Sequence, residues 1–135
     1  MISHLSTEHF MGGVNEFVSL VKEAVCAEAC SFFLVDEEEK VIRSMAGVEG
    51  EQIVVAIGDG LVGHVAEIGK VVNIKDAQND SRFFSGIDKK RGSITRSLLT
   101  APVFGVASKV FGVIQLLNSE SGSFSRYDVG IVSFW

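Results

Sequence analysis

The sequence predicts an α+β domain: a six-stranded antiparallel sheet with helices packed on it. Three observations carry this. Short apolar runs are joined by turn clusters of hairpin length, which pairs neighbouring strands antiparallel. Apolar residues recur at helical spacing at the two ends and in one short stretch in the middle. Repeated strand–helix–strand units, which a parallel doubly wound sheet requires, are missing. A length of 135 residues, 47% of them apolar and ten of them Phe, supplies one domain with one well-buried core.

The first element is a helix over residues 8–25, with Ser6 or Thr7 as its cap and Glu8 at its positive end. Phe10, Val14, Phe17, Val18, Val21 and Val25 fall on one face, while Gly12 and Gly13 weaken the first turns. Strands follow at 30–35, 40–46 and 51–57, the first two joined by the charged turn Asp36-Glu37-Glu38-Glu39. Val41, Arg43 and Met45 share one face of the second strand. Gly58-Asp59-Gly60 breaks the third strand and opens a short helix through Leu61, Val62, Val65, Ala66 and Ile68, closed by Gly69. A short strand at 71–74 leads into residues 75–94, a polar segment with Phe83, Phe84 and Lys89-Lys90-Arg91. A stretch of that length without a clear period is a functional lid or carries a helix of its own. Pro102 puts the far end of the strand at 97–104 on a sheet edge. Residues 109–118 are almost continuously apolar and read as a central strand covered on both faces. A loop at 119–123 precedes a final helix from Phe124, which breaks off without a capping residue and implies a longer parent chain.

Charge and composition exclude several classes. The net charge of −5 and the lack of a basic patch argue against nucleic-acid polymers and against anionic membrane surfaces. No apolar run reaches the ~20 residues that span a bilayer, and the N-terminus does not resemble a signal peptide. Two cysteines, Cys26 and Cys30, are too few for a disulfide framework, and the expected location is cytoplasmic. Two thiols do not make a zinc site either, so they are expected to be structural and no metal is expected. No nucleophile–base set or pair of carboxylates in a cleft can be assembled, so the chain is expected not to be an enzyme.

Four stretches carry a more specific signal: Gly58-Asp59-Gly60-Leu61-Val62-Gly63-His64-Val65-Ala66, Val72-Asn73-Ile74-Lys75-Asp76-Ala77, Thr95-Arg96-Ser97-Leu98-Leu99-Thr100-Ala101-Pro102 and Val110-Phe111-Gly112-Val113-Ile114-Gln115-Leu116-Leu117-Asn118. In this order and spacing the chain resembles a GAF domain, a PAS-like fold, of the kind found in cyclic-nucleotide phosphodiesterases and adenylyl cyclases. The resemblance runs from Ser31 through Asp128. It implies that the sheet is the floor of a pocket, that residues 75–94 close over a ligand, and that pocket positions fall at Ser31, Met45, Ala46, Leu61, Val62, Phe84, Asp88, Arg91, Thr95 and Gln115. It also implies a signature of which Asn118, Phe124 and Asp128 remain. Ser119 stands where the family has Lys and Val129 where it has Glu, so the family's Lys–Asp ion pair has lost one partner. Met45 and Ala46 replace an aromatic or carboxylate pair, and Arg91 replaces Thr; both changes weaken stacking and base readout.

Each residue also has a plain structural reading. The G-x-G-x-x-G of Gly58 to Gly63 lets a backbone approach a ligand and opens a helix end to an anion near Leu61 and Val62; it equally makes a tight strand-to-helix turn. Gln115, a lone amide in an apolar strand, reads a purine edge or bonds to its neighbours. Because an amide both donates and accepts, it favours adenine over guanine. Ser31, Thr95 and Asp88 suit ligand contacts and turns alike, Phe84 is a stacking platform or core, and Arg91 pairs with phosphate or faces solvent. The resulting expectation is one domain, residues 1–135, of a larger regulatory protein whose parent is a 3′,5′-cyclic-nucleotide phosphodiesterase or a cyclase. It binds a cyclic nucleotide, cAMP in preference to cGMP, as a regulatory ligand and signals through its terminal helices, which also form a homodimer. The alternative is an orphan domain serving only as a dimerisation scaffold.

Overall fold

The computed structural model describes residues 4–47, 52–82 and 94–133, with side chains of the first helix described from residue 12 onward. Helix α1 (His4–Ala24) leads into β1 (Ala27–Asp36), β2 (Val41–Ala46) and β3 (Val54–Ala56). Helix α2 (Gly60–Ile68) and β4 (Val72–Ile74) follow, then a 3-10 turn at Ala77–Asn79, β5 (Leu98–Phe104), β6 (Val110–Ser119) and α3 (Arg126–Ser133). The six strands form one sheet in the order β3-β2-β1-β6-β5-β4, every neighbouring pair antiparallel.

Strand alternation explains how two layers are built from one sheet. On one face Cys30, Phe32, Leu99, Ala101, Ile114 and Leu116 pack with Val14, Val18, Val21 and Val25 of α1 and with Phe124 and Val132 beside α3. On the other, Phe33, Ile42, Val72, Ile74, Leu98, Val113 and Leu117 pack with Val62, Val65 and Ala66 of α2. Strand β6 is therefore buried on both sides, as its continuous apolar run predicts. Gly112 is the one place in it where another strand's ring crosses: a Cβ there would overlap the ring of Phe32.

Several expected boundaries move, each for a physical reason. Helix α1 starts at His4, so Ser6 and Thr7 lie inside it rather than at its cap. As expected it runs through Gly12 and Gly13, the buried face from Val14 to Val25 outweighing a propensity cost of about 1 kcal/mol per glycine. Strand β3 shrinks to three residues, a short edge strand that offers little unpaired backbone. Pro102 behaves as expected: β4 pairs only with Leu98, Leu99 and Thr100, so the far end of β5 has a free edge. Gly69 closes α2 in the left-handed region at φ +68°. No described helix is long and apolar enough to cross a membrane.

Candidate functional site

The floor of the α2-facing layer contains one polar row. Ser31 on β1 lies opposite Gln115 on β6, and Gln115 lies opposite Thr100 on β5. Alternation turns all three toward α2, since Phe33, Val113, Leu117 and Leu98 belong to that layer. Thr100 is fully buried and Gln115 is 8% exposed. The amide Nε2 of Gln115 donates to the Thr100 hydroxyl at 3.2 Å, and no described residue donates to its Oε1. The row interrupts an apolar layer with buried hydrogen-bonding groups.

The opposing wall begins at the glycine-rich turn. Gly58 and Gly60 adopt positive φ (+97° and +62°), and a Cβ on Gly63 would stand 2.6 Å from the Ala56 carbonyl oxygen. The Gly58 amide closes the turn by donating to the Gly63 carbonyl at 2.9 Å. All three glycines are thus accounted for by the tight strand-to-helix connection itself. Asp59 precedes α2 without a side-chain capping bond, which leaves the first-turn N–H groups around Leu61 and Val62 without that partner. Both residues lean into the same layer as the polar row, Val62 buried and Leu61 half-buried.

The segment after β4 is tied down at its base. Ala77 N–H donates to the Arg96 carbonyl at 2.8 Å, and Gln78 Nε2 donates to the Thr95 carbonyl at 2.7 Å, so the two ends of the excursion meet. Asn118 then fastens this neck to the sheet. Its Oδ1 accepts from Arg96 N–H (2.6 Å) and Ser97 N–H (3.3 Å), and its Nδ2 donates to the Ile94 carbonyl (2.9 Å) and to Glu28 (3.3 Å). Arg96 completes the set with an ion pair to the same Glu28 carboxylate at 3.6 Å. Thr95, a predicted pocket residue, is fully buried in this neck. Where the excursion leaves the neck, the Arg82 guanidinium and its backbone N–H hold the Asp80 carboxyl down to about 2.

Phe124 and Asp128 hold the other end of the molecule. Phe124 is 1% exposed in the layer between sheet and terminal helices, and its carbonyl accepts from Asn73 Nδ2 at 3.0 Å. Asp128 forms a reciprocal capping box with Ser125: its Oδ2 accepts from Ser125 N–H at 2.8 Å while Ser125 Oγ accepts from Asp128 N–H at 3.1 Å. The carboxylate thus finds helix-end donors in place of the missing lysine. Ser119 is short of it, and the two line a shallow groove with Cys26, Glu120, Ser121 and Ser125.

The sequence-predicted site residues therefore divide. Ser31, Leu61, Val62 and Gln115 come together on the α2 side. Met45 and Ala46 do not join them; both sit in the layer under α1. The reason is a bulge: Phe32 pairs with Ala46 and Phe33 with Ser44, so Met45 is left over and Ala46 changes face. Gly47 then closes against the Cys30 carbonyl at φ +79°. Phe84, Asp88 and Arg91 lie outside the described residues. Thr100, Asn73 and Glu28 were not singled out from sequence. Thr100 carried a signal, a hydroxyl in a buried strand opposite the lone amide, whereas Glu28 looked like any surface carboxylate.

The family model for the GAF domain matches residues 14–134. The chain belongs to the GAF domain family. A dual 3′,5′-cyclic-AMP and -GMP phosphodiesterase 11A of Takifugu rubripes is 36% identical over 110 residues, which covers 72% of this chain and 12% of that protein. A cGMP-specific 3′,5′-cyclic phosphodiesterase of Drosophila sechellia is 33% identical over 101 residues, covering 73% of this chain and 8% of that one. The chain thus spans about a tenth of the length of these relatives, and the region shared is a GAF regulatory module. Among solved structures, the GAF domain of an Acinetobacter phosphoenolpyruvate-protein phosphotransferase superposes with a TM-score of 0.75 at 27% identity, covering 90% of this chain and 73% of that one. A type II free methionine-R-sulfoxide reductase from Thermoplasma acidophilum shares the fold at a TM-score of 0.76 and 17% identity, with 94% and 86% covered.

That last likeness is one of fold. In this GAF domain Cys30 points into the layer under α1, and burial pushes its thiol up to about 12, which keeps it protonated and unreactive. Cys26 is exposed at the α1–β1 junction. Among the described residues no three His, Cys, Asp or Glu side chains group as metal ligands.

Proposed function

We propose that this GAF domain is a sensor that binds a cyclic nucleotide, cAMP in preference to cGMP, between the sheet and the excursion that follows β4. The observation that carries the reading is the polar row Ser31–Gln115–Thr100, set in an apolar floor opposite the uncapped first turn of α2. Gln115 would read the base edge and Ser31 would offer a hydroxyl beside it. The cyclic phosphate would lie toward the N–H groups near Leu61 and Val62, where a helix end favours an anion. Thr95 would close the site from the neck, and Phe84, Asp88 and Arg91 would complete it from above. The relatives' phosphodiesterase activity supports an attached catalytic domain of that class, a cyclase being the other candidate. A ligand drives such a domain only through different affinities for its open and closed states, and α1 and α3 would pass that difference on. The cytoplasm is the compartment where that ligand is met.

Isothermal calorimetry with cAMP and cGMP on the isolated chain tests this. Saturable heat with cAMP tighter than cGMP is expected; no heat with either at high micromolar ligand refutes cyclic-nucleotide sensing. Native mass spectrometry of material that co-purifies names any other guest.

A second reading is favoured by a separate observation. Leu20 on α1 is 67% exposed and Tyr127 on α3 is 76% exposed, on two helices that touch each other. A domain acting only as a dimerisation scaffold through its terminal helices would pair these surfaces. It predicts a dimer by light scattering that Leu20→Glu splits, and no change of melting temperature with either nucleotide.

A further inference from the structure

We propose that the tip of the β5–β6 hairpin is a contact surface for a second copy of this chain, the two sheets meeting end to end about a two-fold axis normal to the sheet. Val106, in the tip, is 92% exposed, more than any other described large apolar side chain, and Phe104, Phe111 and Ile68 are exposed around it. A Cβ on Gly69 would stand 3.6 Å from the Phe104 ring, which brings Ile68 and the end of α2 to the same patch. Single exposed apolar side chains are ordinary, whereas a group of them at one end of a sheet marks a surface that another protein covers. The turn is held in a costly shape to make this surface. Gly105 N–H donates to the Lys109 carbonyl at 2.8 Å, and Ala107 and Ser108 both take positive φ (+61° and +58°), which residues with a Cβ adopt unfavourably. Val106 gains no burial within the domain in return.

Charge decides what covers the tip. The strand order puts the acidic turn after β1 on one side of it and the start of β4 on the other. Lys109 Nζ lies 3.6 Å from Glu37, so the acidic turn abuts the hairpin, with Glu38 and Glu39 exposed beside it. Lys70, exposed next to Gly69, stands on the opposite flank. With strands about 4.8 Å apart, the middle of the tip is about 10 Å from the acidic turn and about 7 Å from β4. That mismatch is within the reach of a lysine or glutamate side chain. A half-turn about the sheet normal exchanges the two flanks. Each copy's Lys70 then meets the other's Glu38 and Glu39, and the apolar tips meet at the centre. A half-turn about the row of strands would set acid on acid. A patch that complements itself in this way is what an isologous dimer requires. The tip lies at the opposite end of the sheet from the Ala27–Ser119 pair, where α1 has ended and the loop to α3 begins. This contact is therefore distinct from a dimer of the terminal helices, and it holds whether or not the domain binds a nucleotide.

Sedimentation equilibrium of the 135-residue chain tests it. A reversible dimer is expected with a Kd between about 10 μM and about 1 mM, the range of a small interface. Val106→Glu should weaken it at least about tenfold, because a carboxylate is then held against the other copy's apolar side chains. Lys70→Glu should weaken it about fivefold, and adding Glu38→Lys and Glu39→Lys to that variant should restore it, since the flanks have then exchanged signs. Leu20→Glu, which would split a dimer of the terminal helices, should leave it intact. All four positions are exposed, and circular dichroism checks that each variant melts as wild type does. A chain that stays monomeric to about 1 mM overturns the proposal, as does a dimer that Val106→Glu leaves intact or that Leu20→Glu dissolves. A triple charge variant that associates no better than Lys70→Glu overturns it as well.

Discussion

Replacing Asn118 by alanine should destabilise this domain more than any other single polar change in it. The side chain is 2% exposed and makes four hydrogen bonds, two accepted at Oδ1 from Arg96 and Ser97 and two donated from Nδ2 to Ile94 and Glu28. Arg96 and Ile94 are exposed residues whose backbone groups regain water, whereas Ser97 is fully buried and its N–H would be stranded. A net of about 2–3 kcal/mol follows from the bonds. Asn118 also sits at φ +58°, and a Cβ-bearing residue with no local hydrogen bond to offset it adds about 1 kcal/mol there. The sum of about 3–4 kcal/mol corresponds to a fall in Tm of about 12 °C for a chain of this size. Asn118→Gly should recover about 1 kcal/mol of that loss, because glycine adopts positive φ freely. Thermal melts followed by circular dichroism give both numbers, and amide exchange at Arg96 and Ser97 shows whether the neck opens first. A Tm within 3 °C of wild type for Asn118→Ala, or no difference between the Ala and Gly variants, would refute the clamp.

Three other outcomes are expected. Ser125→Ala removes one half of the capping box at the start of α3 and should cost about 1 kcal/mol by urea denaturation, with Asp128→Asn costing less because its side-chain oxygen still accepts. Ellman's reagent at pH 8 should titrate one of the two thiols of the folded protein, Cys26, and reach Cys30 only after denaturation; two rapid equivalents would contradict the burial of Cys30. The Asp80 carboxyl, lowered from 3.8 to about 2 by Arg82, should titrate by NMR with a midpoint near the lower value. Because its folded pKa lies below the unfolded one, its contribution to stability is complete above about pH 4 and disappears as pH falls toward 2. Arg82→Gln should move that midpoint back up.

The sheet was legible because its signals are local. Six apolar runs, hairpin-length links and Gly69 each act within a few residues of themselves, and Pro102 places its own edge. What sequence reasoning missed depends on pairing between distant segments. The bulge that sends Ala46 to the α1 side, beside Met45, arises from the register between β1 and β2, which no single strand encodes. The start of α1 was misplaced because Ser6, Thr7 and Glu8 look like a cap and first turn but lie inside a helix that begins at His4. In the site, Gln115 stood out as an amide among apolar residues, but its partner Thr100 lies fifteen residues away in sequence and becomes its neighbour only through the β5–β6 hairpin.

The same dependence on distant pairing bears on how this domain could signal. The two ends of the excursion after β4, at Ala77–Gln78 and Thr95–Arg96, are hydrogen-bonded to each other and then, through Asn118 and Arg96, to Glu28 at the start of β1. Glu28 lies four residues beyond the end of α1, and the Cys26 carbonyl between them accepts from Glu120 N–H at 2.9 Å. Asn73, next to the start of the excursion, holds the Phe124 carbonyl just before α3. In the sensor reading proposed above, a guest that acts on this neck would act on a segment bonded to the root of α1, while β4 beside it is bonded to the residue just before α3. Coupling of this kind requires that both arrangements exist and that the ligand prefer one of them. It follows that releasing the neck from β1 with Glu28→Ala plus Arg96→Gln should leave nucleotide affinity within a few-fold of wild type while removing any ligand-dependent change at α1. A spin label at Leu20 that still responds to ligand in that double variant would show that the message travels by another route.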